Sequence, residues 1–205
     1  MKTITNIAKV LSAVFSPLIV PFYCFVVTFI VSPLNILPLK SKLITLLILF
    51  FMTFALPCFS IWLLYVMHMV KSLGINGRKE RLIPYLLGVF WFSLTFYFLW
   101  RAHAPYWLLL FDLSGIIVVV INLLVNLKWK ISGHMASMGC ATALILYLYV
   151  TGLNPYLPEI WLYSVIFLSG LVGSARGVLK RHTLGQIGAG YANGLIVTCL
   201  IMFLL

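Results

Sequence analysis

The segment WLLLFDLSGIIVVVINLLVN, residues 107–126, decides the fold class of this chain. Its length of about 20 residues is what an α-helix needs to cross the hydrocarbon core of a bilayer, and its one charged residue is Asp112. Similar apolar runs make up most of the rest of the chain and lie at 10–32, 43–69, 84–99, 105–126, 133–151, 159–173 and 184–205. The pattern predicts an all-α polytopic transmembrane bundle of about six or seven spans.

The composition agrees with this interpretation. The 205 residues are 63% hydrophobic and 8% charged, whereas a soluble domain has about 45–50% apolar and about 25% charged residues. A water-facing exterior is therefore excluded for most of the chain. A transmembrane β-barrel is excluded as well, because its strands would alternate apolar and polar residues. With no repeat or linker, residues 1–205 are expected to form a single integral membrane domain.

The first apolar run, 10–32, is the least regular, since it contains Pro17 and Pro21. It is expected either to span the membrane or to form an interfacial or re-entrant segment. Seven spans would place residues 1–9 on the same face as 70–83, 127–132 and 174–183. That face would then carry all of the lysines and arginines except Lys40, Lys42 and Arg101.

This asymmetry would make the cation-rich face cytoplasmic by the positive-inside rule, unless the charges form an anion-binding site. The side of the membrane that the site faces therefore stays open. We expect a multi-pass protein of a bacterial inner (plasma) membrane.

The charge balance restricts the chemistry. Fourteen lysines and arginines face only three acids, Glu80, Asp112 and Glu159, whereas two-metal and magnesium–diphosphate chemistry needs clustered carboxylates. No metal site or cofactor is predicted. A net charge of +11 favours anionic partners, which for a membrane protein are lipid headgroups and phosphates rather than nucleic acid. Asp112 is expected to pair with Arg101 or to mark a second polar cavity.

Three predicted loops of the cation-rich face carry the residues with chemical potential. They contribute Arg78, Lys79, Glu80 and Arg81 from the first loop, Ser132, Gly133 and His134 from the second, and Arg176 and His182 from the third. Helix N-termini and arginine side chains bind phosphate, and two imidazoles supply a nucleophile and a general acid. The set is what metal-independent phosphoryl transfer requires.

These residues resemble the type 2 phosphatidic acid phosphatase superfamily, whose motifs are K-x6-RP, PSGH and SR-x5-H-x3-D. Ser132-Gly133-His134 resembles the second motif, and Arg176 followed by His182 resembles the third. The resemblance covers about residues 78–190 and implies that fold and a phosphohistidine mechanism. It implies His182 as the nucleophile, His134 as the general acid, and Arg176, Ser132, Gly133, Arg78, Lys79 and Arg81 as phosphate ligands.

The chain departs from the family pattern at several positions. Ile131 replaces the proline of the second motif, and Ala175 separates Ser174 from Arg176. Gln186 stands where the family has the Asp that orients the nucleophile and supports its positive charge. The candidates for this orienting role are Gln186 itself and Glu80. The segment that corresponds to the first motif is basic, but it lacks the K-x6-RP spacing.

The resemblance leads us to expect a metal-independent phosphatase of a lipid phosphate or diphosphate. Phosphatidate, phosphatidylglycerophosphate, a polyprenyl diphosphate and a phosphorylated glycolipid are all open as substrates. The alternative is a catalytically impaired protein that binds, transports or assembles lipid phosphates. A membrane prenyltransferase is disfavoured because paired Asp motifs are missing. The GxxxG pair Gly190 and Gly194 predicts close helix packing, within the monomer or in a homodimer.

Overall fold

The computed structural model describes residues 2–70, 72, 77–153 and 159–205, without the side chain of Lys79. This part of the chain forms eight long helices and two short 3-10 helices, Pro33–Ile36 and Lys79–Arg81. The bounds of the eight long helices are α1 Lys2–Val14, α2 Val20–Val31, α3 Leu39–Val66, α4 Leu82–Arg101, α5 Tyr106–Lys128, α6 Gly133–Val150, α7 Ile160–Val178 and α8 Leu184–Leu204.

Six of these helices, α3 to α8, are long and apolar enough to cross a membrane. The chain is therefore an all-α, multi-pass integral membrane protein, as the hydropathy pattern predicts. Because consecutive spans run in opposite directions, the ends of α3, α5 and α7 share one face with the starts of α4, α6 and α8. All of the predicted phosphate-site residues lie at this face, which we call the site face.

Of the two alternatives for residues 10–32, one continuous spanning helix is contradicted by the structure. Helix α1 ends at Val14, and α2 begins only at Val20. The break follows from Pro17, which has no N–H to continue the hydrogen-bond ladder and whose ring clashes with the preceding turn. Helix α2 has 12 residues, or about 18 Å of length, which is less than the thickness of the hydrocarbon core.

The predicted end of the sixth run, 159–173, is also wrong, because α7 continues past residue 173 to Val178. Arg176 consequently lies in the last helical turn and not in a loop. A cation is favourable there because the C-terminal end of a helix carries a partial negative charge. Polar residues at the end of a span look like loop residues in sequence, which explains the error.

The centre of the bundle is the contact between α6 and α8. A Cβ atom on Gly194 would overlap the backbone carbonyl of Ala136, and one on Gly190 would overlap that of Ser132. A Cβ on Gly139, from the side of α6, would overlap the carbonyl of Tyr191. The GxxxG pair thus packs within the monomer, where small residues let two backbones approach closely.

This close approach determines where the functional motifs lie. The backbone N–H of Ser132, just before α6, donates to the carbonyl of Gln186 in the first turn of α8 at 3.3 Å. The starts of α6 and α8 are therefore held side by side at the site face. The second and third motifs meet because of glycine-mediated packing deeper in the bundle.

Asp112 does not form the expected pair with Arg101. Its side chain is 1% exposed within α5, and neither carboxylate oxygen has a hydrogen-bond partner among the described residues. Arg101 is exposed at the far end of α4. His68 and His103 both adopt left-handed conformations, with φ of 56° and 52°, in the turns that end α3 and α4, so each has a structural role.

Candidate phosphate site

The spacing between Arg176 and His182 corresponds to a tight turn between α7 and α8. Helix α7 ends in a Schellman motif, in which the N–H of Arg181 donates to the carbonyl of Arg176 at 3.1 Å. Lys180 occupies the left-handed position, with φ of 52°, and its N–H donates to Gly177 at 2.8 Å. Thr183 then caps α8. The turn leaves Arg176 on one helix end and His182 just before the next.

Gln186 holds the imidazole of His182 in one orientation. The Nδ1 atom of His182 lies 3.2 Å from Oε1 of Gln186, and because an amide oxygen only accepts, Nδ1 carries the proton. The same oxygen accepts from the N–H of Thr183 at 3.3 Å, as part of a capping box. The lone pair of His182 is therefore on Nε2.

The surroundings of His182 disfavour its protonation. Burial, followed by the charges of Arg81, Arg176 and Lys130, lowers the pKa of His182 to about 3, and the contact with Gln186 opposes this only in part. The side chain is 8% exposed. At neutral pH His182 is consequently an uncharged imidazole surrounded by cations, with an available lone pair.

Ser132 and Gly133 begin α6. The hydroxyl of Ser132 accepts from the N–H of Met135 at 3.4 Å, so Ser132 is the N-cap of the helix. Ser132 is fully buried, and its visible role is this cap. The N–H groups of Gly133 and His134 lie in the first turn, where no carbonyl of the helix can accept from them. These two amides are the ones suited to bind phosphate.

His134 is held by the first helix of the chain. Its Nε2 atom lies 3.0 Å from the backbone carbonyl of Ser12 at the end of α1, and because a carbonyl only accepts, Nε2 is protonated. Arg176, His182 and Arg81 are all close enough to act on His134 electrostatically. The two imidazoles therefore lie at one face and share the same cations.

Three cationic side chains form the basic wall of the site. Arg176 is 9% exposed, and its buried Nε atom has no hydrogen-bond partner among the described residues. Nη1 of Arg81 donates to the carbonyl of Ile131 at 3.0 Å, and Nζ of Lys130 donates to that of Arg181 at 2.9 Å. Burial and the neighbouring arginines lower the pKa of Lys130. Concentrated positive charge of this kind favours a bound anion.

Arg78 and Glu80 make their described contacts within the turn before α4 and with the end of α5. Arg78 donates through Nη1 to the carbonyl of Leu127 at 2.7 Å, and its own carbonyl accepts from Asn126 at 2.9 Å. It therefore ties the turn before α4 to the end of α5. The carboxylate of Glu80 lies against Gly77 in that turn. The side chain of Lys79 lies outside the described residues.

Three contributors to the site were not among the predicted site residues: Ser12, Tyr85 and Lys130. Ser12 is 122 residues from His134 in the chain, and no spacing in a single sequence signals such a contact. Tyr85 hydrogen-bonds to Arg81, and its hydroxyl is 3.9 Å from where a Cβ on Gly133 would lie. Lys130 lies two residues before Ser132 of the second motif. A basic residue next to this motif was the one sequence signal for its place in the site.

Comparison of the chain with protein-family models, curated proteins and solved structures finds no match.

Proposed function

We propose that the protein is a phosphatase of lipid phosphates or diphosphates that works through a phosphohistidine on His182. The observation that carries the proposal is the state of this residue. It is buried and uncharged, its Nδ1–H is held by Gln186, its lone pair is on Nε2, and the charges of Arg81, Arg176 and Lys130 act on the ring. A nucleophile needs that lone pair, and a phosphoryl group needs those cations.

The proposed reaction has two steps. In the first, the Nε2 lone pair of His182 attacks phosphorus and the bond from phosphorus to the lipid oxygen breaks. His134 enters this step protonated on both nitrogens and gives its Nδ1 proton to the leaving oxygen, while its Nε2–H stays on the Ser12 carbonyl. In the second, Nδ1 of His134 takes a proton from water, the water oxygen attacks phosphorus, and the P–N bond breaks to release phosphate and the neutral imidazole of His182. Arg176, Arg81 and the first amides of α6 neutralise charge on the phosphoryl oxygens.

The position of the site residues relative to the membrane favours a lipid substrate. The site residues lie at the ends of apolar spans, so a phosphate at this face belongs to a molecule whose tail can stay in the bilayer. The same proposal includes membership of the type 2 phosphatidic acid phosphatase superfamily, on the motifs Ser132-Gly133-His134 and Arg176-x5-His182. It also includes location in a bacterial inner membrane.

The alternative function is binding, transport or assembly of lipid phosphates without hydrolysis. One observation favours it: among the described residues, the side chains that act on His182 are the amide of Gln186 and the cations Arg81, Arg176 and Lys130. A carboxylate at this position would stabilise the imidazolium character that develops during attack. Without one, the site retains anion binding and loses part of its catalytic power.

An assay of phosphate release from a panel of lipid phosphates distinguishes the phosphatase from the non-hydrolytic alternative. The purified protein is assayed with and without a chelator, beside the variants His182→Ala and His103→Ala. The proposal predicts release that resists the chelator, disappears in His182→Ala and survives in His103→Ala. Tight binding without release would support the alternative function, and chelator-sensitive release would overturn the histidine mechanism.

A further inference from the structure

Helix α1 has three chemically distinct sides. Ile4, Ile7, Val10 and Val14 are 59%, 55%, 61% and 44% exposed and recur at helical spacing along one stripe. Ala8 and Ser12 are buried on a second side, where α1 packs against α7. Lys2 and Lys9 are exposed on the third.

This arrangement is typical of a helix that lies in the plane of a membrane surface. Such helices bury an apolar stripe at the boundary of headgroups and acyl chains and direct lysines toward anionic lipid. Helix α1 also has the required position, since its end contacts His134 at the site face. The occupant that fits its exposed side is therefore an anionic leaflet surface.

The end of α1 leaves one carbonyl available to the site. The N–H of Ser16 donates to the carbonyl of Ala13 at 3.3 Å and not to that of Ser12, because the helix unwinds ahead of Pro17. The Ser12 carbonyl instead accepts the Nε2–H of His134 at 3.0 Å. A contact with the membrane-surface helix thereby fixes the ring that is proposed to move protons.

We propose that α1 is a membrane-surface helix that positions His134 and makes the site sensitive to anionic lipid. An anionic leaflet holds α1 through Lys2 and Lys9, and docked α1 presents the Ser12 carbonyl that orients the imidazole. When α1 detaches, His134 loses this partner and its fixed orientation. The inference rests on the proposed function only for its effect on turnover, since docking and ring position are measurable without activity.

The test uses the full chain in nanodiscs with zwitterionic lipid alone or with added phosphatidylglycerol. Lys2→Gln/Lys9→Gln is compared with Lys40→Gln/Arg101→Gln, which removes two cations from the opposite face. Backbone hydrogen exchange over residues 2–14 reports docking. Exchange of the C2 hydrogen reports the environment of His134. For the wild type, the anionic lipid is expected to slow hydrogen exchange both in the backbone of residues 2–14 and at C2 of His134. It is also expected to raise kcat several-fold with little change in KM.

The Lys2→Gln/Lys9→Gln variant is expected to lose all three responses, and the opposite-face variant to keep them. Equal exchange in both lipids, or responses that survive in Lys2→Gln/Lys9→Gln, would overturn the inference. Lipid-dependent exchange without any phosphate release would retain the inference and refute the phosphatase.

Discussion

The Nδ1 atom of His182 and the Oε1 atom of Gln186 lie 3.2 Å apart, so a neutral amide orients this imidazole. The contact is local, because His182 precedes the N-cap of α8 and Gln186 lies in the first turn. It fixes the tautomer that leaves Nε2 free. It does not supply the negative charge that a carboxylate would bring to the same place.

Gln186→Glu is expected to raise turnover by about tenfold or more, because it puts a carboxylate where the amide oxygen now lies. Its length preserves the capping contact with Thr183, whereas Gln186→Asp is one methylene shorter and is expected to gain less. The same change should raise the pKa of His182 from about 3, since an opposite charge favours the protonated ring. Steady-state kinetics and histidine NMR measure the two effects. Gln186→Leu is the control, and unchanged turnover in Gln186→Glu would show that the amide is sufficient.

Acid should destabilise the fold through His182. Its folded pKa of about 3 lies below its ordinary value of 6.5, so the unfolded chain takes up the proton first. Stability contributed by this group is therefore complete above about pH 6.5 and is lost progressively as the pH falls toward about 3. Thermal unfolding in detergent should show a smaller acid-induced drop for His182→Gln than for the wild type. His103→Asn, on the opposite face and suited to a left-handed conformation, should keep the wild-type drop. An equal drop in all three would contradict the buried, uncharged state of His182.

Substitution of Arg176 should weaken phosphate binding and substitution of Arg78 should not, although both are arginines of the site face. Arg176→Ala is expected to weaken binding of inorganic phosphate by roughly 10- to 100-fold, the usual effect of one lost charged hydrogen bond. Arg78→Ala should leave phosphate binding intact and lower the unfolding temperature, because Arg78 bonds the end of α5. Isothermal titration and thermal unfolding separate the two. Equal loss of binding in both variants would show that the site extends to Arg78.

The glycine contact between α6 and α8 should be sensitive to a single methyl group. Gly194→Ala would drive a Cβ into the carbonyl of Ala136, and overpacking of this kind costs about 1–3 kcal/mol. Gly188→Ala lies on the same helix with nothing within 4 Å of the added atom, and it should be neutral or slightly stabilising. Thermal unfolding compares the stabilities of Gly194→Ala and Gly188→Ala. Two equally stable variants would mean that α6 and α8 are farther apart than described.

The parts of the fold that follow from composition were predictable. Apolar runs locate α3 to α8, because a bilayer leaves few alternatives to a helix of about 20 residues. The errors lie at 10–32 and at the end of α7, where proline and polar residues change the backbone without changing the mean hydropathy. Asp112 illustrates a different gap, since sequence alone does not show which side chains surround a buried acid.

The candidate site was predictable only in part. The spacing of Arg176 and His182 is local and is explained by one turn, and Ser132 with His134 adjoins a helix start. The side-by-side placement of these two motifs depends on Gly190 and Gly194 packing against α6. The contact from Ser12 joins the first helix to the sixth, and a local pattern carries no information about such a pairing.

The central claim is that the Nε2 atom of His182 becomes covalently bound to phosphorus. Protein mixed with a hydrolysable lipid phosphate is quenched in alkali, which preserves phosphohistidine, and its peptides are mapped by mass spectrometry. The account predicts phosphate on His182 during turnover and none in His182→Gln, with His134 unmodified in both. Phosphate release with His182 unmodified, or release that persists in His182→Gln, would contradict it.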